Sequence, residues 1–130
     1  MHFIIAGGGI GGITAGIALR QKGHEVTVLE LAQQHENVGS GIQLWAYAPK
    51  ILRILGLGPM LDRHQPGGVA MTVQEKKGRI FSQVGQRKID AAVGEPSLFM
   101  HRAELLAGLV QALGDQHLRC NAQVTGYSKN

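Results

Sequence analysis

Six of the chain's 19 glycines fall between Gly7 and Gly16, and Gly7-Gly8-Gly9-Ile10-Gly11-Gly12 matches the pattern G-x-G-x-x-G. Such a run carries no reactive group; its chemistry is binding. Gly7 permits a tight turn, Gly9 leaves bare backbone for a pyrophosphate to approach, and Gly12 lets a following helix lie close on the preceding strand. The N-terminus of that helix offers unpaired N–H groups and the positive end of its dipole to phosphates. Glu30 stands 18 residues beyond Gly12, at the end of a second strand, where a carboxylate can accept a ribose hydroxyl. Its charge would repel a 2′-phosphate, which argues against NADP in this site. The competing account is a glycine-rich packing turn with no ligand. The complete fingerprint of strand, turn, helix, strand and acid favours binding, and it leaves FAD and NAD both open.

These residues need elements to hold them. Phe3-Ile4-Ile5-Ala6 is a continuous apolar run, as in a strand buried on both faces. Ile10, Ile13, Ile17 and Ala18 then recur at helical spacing, and Glu25-Val26-Thr27-Val28-Leu29-Glu30 reads as the second strand. Gly39-Ser40-Gly41-Ile42 reads as a flexible turn. A helix starts at Ala48-Pro49, presents Ile51, Leu52, Ile54 and Leu55, and stops at Gly56. Val69, Met71 and Val73, then Ile80, Ser82 and Val84, alternate on either side of Lys76-Lys77-Gly78-Arg79, which predicts a β-hairpin. Helix resumes near Arg102, with Leu105, Leu106, Leu109, Val110 and Leu113 on one face and Gly114 as its stop. Residues 118–124 complete the list as a third strand. The expected class is α/β, a parallel sheet with flanking helices. It forms a single domain over 1–130, with the hairpin an excursion over 67–93.

Composition narrows the function. At 130 residues, with 44% hydrophobic and 17% charged, the chain is globular rather than disordered. The net charge of 13 − 9 = +4 is mild and scattered, which does not suit nucleic acid. The densest basic group, Lys76, Lys77, Arg79, Arg87 and Lys88, lacks interleaved aromatic platforms and reads as solvated surface. Cys120 is the only cysteine, so no disulfide forms within the chain, a cysteine zinc site is not expected, and a reducing, cytoplasmic setting fits. His24, His64, His101 and His117 are isolated, with no metal-ligand spacing. Residues 3–19 carry no charge, but glycines break the run and no Lys or Arg precedes it. It is too short for a membrane helix and lacks the basic flank of a signal peptide. Trp45 and Tyr47 could stack on a planar ligand or pack in a core.

The chain resembles the N-terminal third of the FAD-dependent aromatic monooxygenases, the group that includes salicylate hydroxylase and para-hydroxybenzoate hydroxylase. Three blocks carry the resemblance: residues 4–12 with Val28-Leu29-Glu30; Gly39-Ser40-Gly41-Ile42-Gln43-Leu44 followed by Ile51-Leu52 and Leu55-Gly56-Leu57; and His101-Arg102-Ala103-Glu104-Leu105, which is similar to the family's "HRxxL" segment. The resemblance implies a Rossmann-like fold and FAD rather than NAD, with NAD(P)H as electron donor. It implies that Gly7, Gly9 and Gly12 bind the pyrophosphate and Glu30 the adenosine ribose. Gly41 and Ile42 would run beside the flavin end. Arg102 would reach the phosphate or ribityl region, where a guanidinium forks well onto phosphate oxygens. The chain departs from the pattern at Leu31, where the family often has Arg. It departs again at Tyr47, where Asn is usual, and at Trp45-Ala46, where prolines are frequent. Family members are several hundred residues long, and their later "GADG" and "GD" motifs lie beyond Asn130.

The leading expectation is a flavin-dependent monooxygenase-like protein, or its FAD-binding segment, for hydroxylation of an aromatic or polyketide-like small molecule. In that chemistry the cofactor is the reagent, and no catalytic side chain is assigned. A second possibility is a non-redox descendant that isomerises, cyclises or dehydrates its substrate without FAD, using His101, Tyr47 or Asp62. A third is a non-catalytic partner-binding module. A three-stranded sheet and amphipathic helices in need of cover also imply a homodimer.

Overall fold

The computed structural model describes residues 1–33, 40–64 and 70–129. The chain divides into two compact units, one built from residues 1–40 and 101–130 and the other from 41–100.

The first unit is a parallel sheet with helices on one face. Strand β1 (His2–Ala6) leads into helix α1 (Ile10–Gln21), which returns the chain to strand β2 (Glu25–Leu29). β1 and β2 pair in parallel with His2 opposite Glu25 and Ala6 opposite Leu29. Val26 and Val28 are buried on the α1 side of β2, as the period of two in a strand requires. After the second unit the chain returns as helix α5 (Arg102–Leu113) and a 3-10 turn, Asp115–His117. The short strand β7 (Leu118–Arg119) follows and pairs in parallel with β2. The sheet order is therefore β1-β2-β7. Ile13, Ile17, Leu109 and Leu113 are buried, each contributing about 1.5–3 kcal/mol by leaving water. α1 and α5 approach closely because Gly16 has no side chain: a Cβ there would stand 3.1 Å from Leu113 and 3.3 Å from Val28. Arg20 donates from its guanidinium to the Leu113 carbonyl, which caps the C-terminus of α5.

Two expectations about this sheet are corrected. β1 is not buried on both faces: Ile4 is 67% exposed, and Phe3 and Ile5, on the helix side, are half-buried. Among the described residues β1 pairs with β2 alone, which leaves the outer face of its apolar run open. The third strand covers two residues, not 118–124. Asn121 takes a positive φ of 54° and breaks the extended run, after which the Asn121 and Ala122 N–H groups turn to the carbonyls of Ala32 and Glu30.

The second unit begins with strand β3 (Gly41–Leu44), helix α2 (Tyr47–Ile54) and the single-turn helix α3 (Gly58–Leu61). Strands β4 (Ala70–Gln74) and β5 (Ile80–Gly85) form the expected antiparallel hairpin. Helix α4 (Gln86–Val93) and strand β6 (Leu98–His101) follow, and β6 pairs with β3. The expected turn at 39–42 is thus a strand from Gly41 onward, while Gly39 lies outside the described residues, as does Val69. The hairpin carries a bulge, since Val73 faces Ser82 while Gln74 faces Ile80. Phe81 is the extra residue, exposed beside the Arg79 guanidinium. Helix α4, which sequence reading left inside the excursion, ends on Gly94 at φ +74°.

Side-chain bonds join the pieces of this unit. Ser97 is fully buried; its Oγ accepts the Ala46 N–H at 3.0 Å and donates to Asp90 Oδ1 at 2.6 Å. The Arg53 guanidinium bridges Glu95 at 2.5 Å and Asp62 at 2.7 Å. These bonds, Glu95 first, hold Arg53 charged above the ordinary arginine range.

Candidate functional site

The glycine loop connects β1 to α1, and one backbone angle and one close contact call for glycine in it. Gly7 takes φ +107°, a region in which L residues are strained. A Cβ on Gly12 would stand 2.0 Å from the Gly7 carbonyl oxygen, closer than any atom pair tolerates, so the first turn of α1 can rest on the loop only with glycine there. The loop is registered on β2 by its own amides: the Gly7 N–H donates to the Leu29 carbonyl at 2.7 Å.

Gly9 is the N-cap of α1, with φ −75° and ψ −179°. A Cβ built on it meets no atom within 4 Å, so the space in front of it is open. No side chain caps the helix, and its first turn holds no acid. The first intrahelical bond runs from the Ile13 N–H to the Gly9 carbonyl at 3.0 Å. The N–H groups of the turn before it are the ones a helix end presents to a ligand. An uncapped N-terminus with open space before it and no acid in its first turn can take an anion.

Glu30 follows β2 directly and is half-buried. One carboxylate oxygen accepts the Gly8 N–H at 2.6 Å and the other the Ala32 N–H at 2.9 Å. Its peptide is held on the far side by the C-terminal segment: the Glu30 N–H donates to the Arg119 carbonyl at 2.9 Å, and its carbonyl accepts the Ala122 N–H at 2.8 Å. Gly7, Gly9, Gly12 and Glu30 therefore form one loop-and-strand assembly, as their spacing predicts. Sequence reasoning missed Gly8. It occupies a variable position of the motif, yet a Cβ there would stand 2.8 Å from the Glu30 Cβ. The three consecutive glycines were the available signal.

Arg102 is exposed at the first position of α5, and its main-chain N–H donates to the Ser40 carbonyl at 3.2 Å. Gly41 and Ile42 lie in β3 of the second unit. His24 packs against the Phe3 ring, His117 bonds the Val26 carbonyl, and Asp62 pairs with Arg53. Trp45 and Tyr47 are exposed.

The sequence of residues 5–36 matches an NAD(P)-binding Rossmann-like domain. The chain is 34% identical over 124 residues to the aurachin C monooxygenase/isomerase of Stigmatella aurantiaca, covering 95% of this chain and 32% of that protein. It is 32% identical over 113 residues to the FAD-dependent monooxygenase OpS4 of Beauveria bassiana, covering 85% of this chain and 26% of that protein. Over nearly its whole length the chain resembles these FAD-dependent monooxygenases. It spans about a third of the length of the monooxygenases it matches. Its fold is that of a solved flavoprotein: Klebsiella pneumoniae HpxO, complexed with FAD and uric acid, superposes with a TM-score of 0.80. The match covers all of this chain and 33% of HpxO at 24% identity. No described helix is long and apolar enough to cross a membrane.

Proposed function

We propose that this chain is the FAD-binding part of a flavin-dependent monooxygenase that hydroxylates an aromatic or polyketide-like small molecule, with NAD(P)H as electron donor. The observation that carries the reading is the open, uncapped N-terminus of α1 beneath a loop that only glycine can form at Gly12. That cradle fits a dinucleotide pyrophosphate.

When bound, FAD supplies the redox chemistry, taking reducing equivalents from the nicotinamide and activating oxygen. The protein binds and orients. The turn at Gly7, Gly9 and Gly12 receives the pyrophosphate on the backbone N–H groups at and after Gly9, since the Gly7 N–H is held by the Leu29 carbonyl. Glu30 receives a ribose hydroxyl; a carboxylate accepts up to about four hydrogen bonds, so holding main-chain N–H groups is compatible with this role. Arg102 supplies a guanidinium to phosphate or ribityl oxygens, and Gly41-Ile42 lines the flavin end.

The family match and the names of the relatives support this reading. The visible absorption spectrum of the purified protein, with an FAD titration of the colourless form, tests it. A flavin spectrum or saturable FAD binding is expected, and a protein that neither carries nor binds FAD ends the proposal. Self-association to a homodimer is part of the same reading, supported by the apolar side chains Ile4, Ile51, Ile54 and Phe81 that stand open to solvent.

A further inference from the structure

We propose that Glu30 is the positioning residue of the glycine loop, a role separate from receiving the ribose and one that deepens the FAD reading above. Three observations place it there. Its carboxylate takes the Gly8 N–H at 2.6 Å, a short, charge-assisted bond, and Gly8 is buried. The neighbouring Gly7 N–H bonds the Leu29 carbonyl, so two successive loop amides are tied to two successive residues at the end of β2, one by main chain and one by side chain. Finally, Glu30 itself has little freedom. Its peptide is bonded on both sides to the 119–122 segment, and its second oxygen is held by the Ala32 N–H.

The consequence concerns what is left for the ligand. With the Gly8 amide turned inward to Glu30, the loop reaches Gly9 in the extended conformation from which α1 starts. The N–H groups that face outward are then those at and after Gly9. The loop is ordered before the ligand arrives, so the ordering cost is not subtracted from its affinity. Gly8 is glycine because the latch brings its α-carbon against the Glu30 side chain. The carboxylate thus builds the anion cradle with one oxygen while standing at the ribose end of it.

The test uses the ligand-free chain first. Amide hydrogen exchange in the wild type should show Gly8 strongly protected. In Glu30→Ala that protection should fall at least tenfold while the β2 amides keep theirs, and Glu30→Gln, which retains a neutral acceptor, should restore part of it. A Gly8 amide that exchanges at its intrinsic rate in the wild type overturns the proposal without any variant, even if Glu30→Ala does not fold. So does a Gly8 rate unaffected by Glu30→Ala. The ligand arm compares ADP with 2′,3′-dideoxy-ADP, which lacks the hydroxyls a ribose acceptor would read. The positioning role predicts that Glu30→Ala weakens dideoxy-ADP binding by about tenfold; a loss confined to ADP makes Glu30 a ribose acceptor alone and overturns it. If the wild type binds neither FAD nor ADP, the cofactor reading fails, and the Gly8 exchange rates still decide the latch.

Discussion

Gly9 and Gly12 belong to one motif, yet they answer to different demands, and substitution separates them. Gly12→Ala forces a methyl group against the Gly7 carbonyl. We expect a loss of about 3 kcal/mol in urea denaturation, at the upper end for overpacking, since the obstacle is backbone rather than a flexible side chain. Gly9 has ordinary dihedral angles and open space, so the fold does not require glycine there. Because Gly9 is the N-cap of α1, Gly9→Asp should even stabilise the chain by a few tenths of a kcal/mol. The same carboxylate fills and charges the anion site, and FAD binding should vanish. A melt that rises while FAD titration goes flat is the expected pair of results; unchanged FAD affinity would put the cofactor elsewhere.

Between elements, the second unit relies on a few polar bonds that join distant stretches of chain. Ser97→Ala leaves the Ala46 N–H, just before α2, without its buried acceptor, which should cost about 1–3 kcal/mol. The loss should be visible as a lower denaturation midpoint with an unchanged slope. Arg53→Met removes the bridge from α2 to Glu95 and Asp62. These bonds are partly solvated, so about 1–2 kcal/mol is expected in the same assay. The pH dependence has a definite sign. The Arg53 group titrates higher in the folded chain than in the unfolded one. Its contribution is therefore complete below the ordinary arginine range and lost only as pH rises through the raised value. On the guanidinium's account, the difference between wild type and Arg53→Met should not change between pH 6 and pH 9, values well below the arginine range. A difference that shrinks toward pH 9 would contradict this assignment.

At the scale of the whole molecule, the exposed apolar residues set the expectation. Ile4 on β1, Ile51 and Ile54 on α2, and Phe81 at the hairpin bulge face solvent. Covering a few hundred Å² of such surface returns several kcal/mol at about 25 cal/mol per Å² before association costs. Sedimentation across a concentration series should therefore show a dimer dissociating on dilution. A single monomeric species at every concentration, with a cooperative melt, would remove the homodimer from the proposed function.

Local chemistry was legible in the sequence, and adjacency was not. The glycine spacing, the helical periodicities of α1 and α5 and the acid after β2 are properties of short stretches, and they fixed the β-α-β unit and four members of the candidate site. The hairpin was legible too, because alternation and a Gly78 turn are local. The exposure of Ile4 was not legible because an apolar run reports what a strand can bury, whereas what covers it depends on which segments pack there. The third strand was drawn too long because Asn121 leaves the extended region to send amides back to Ala32 and Glu30, partners some 90 residues away in the chain. The bond from Gly8 to Glu30 has the same origin. A carboxylate and an amide 22 residues apart meet only once two parallel strands have paired, so composition and spacing determined the parts, and tertiary structure alone decided that Glu30 holds the loop.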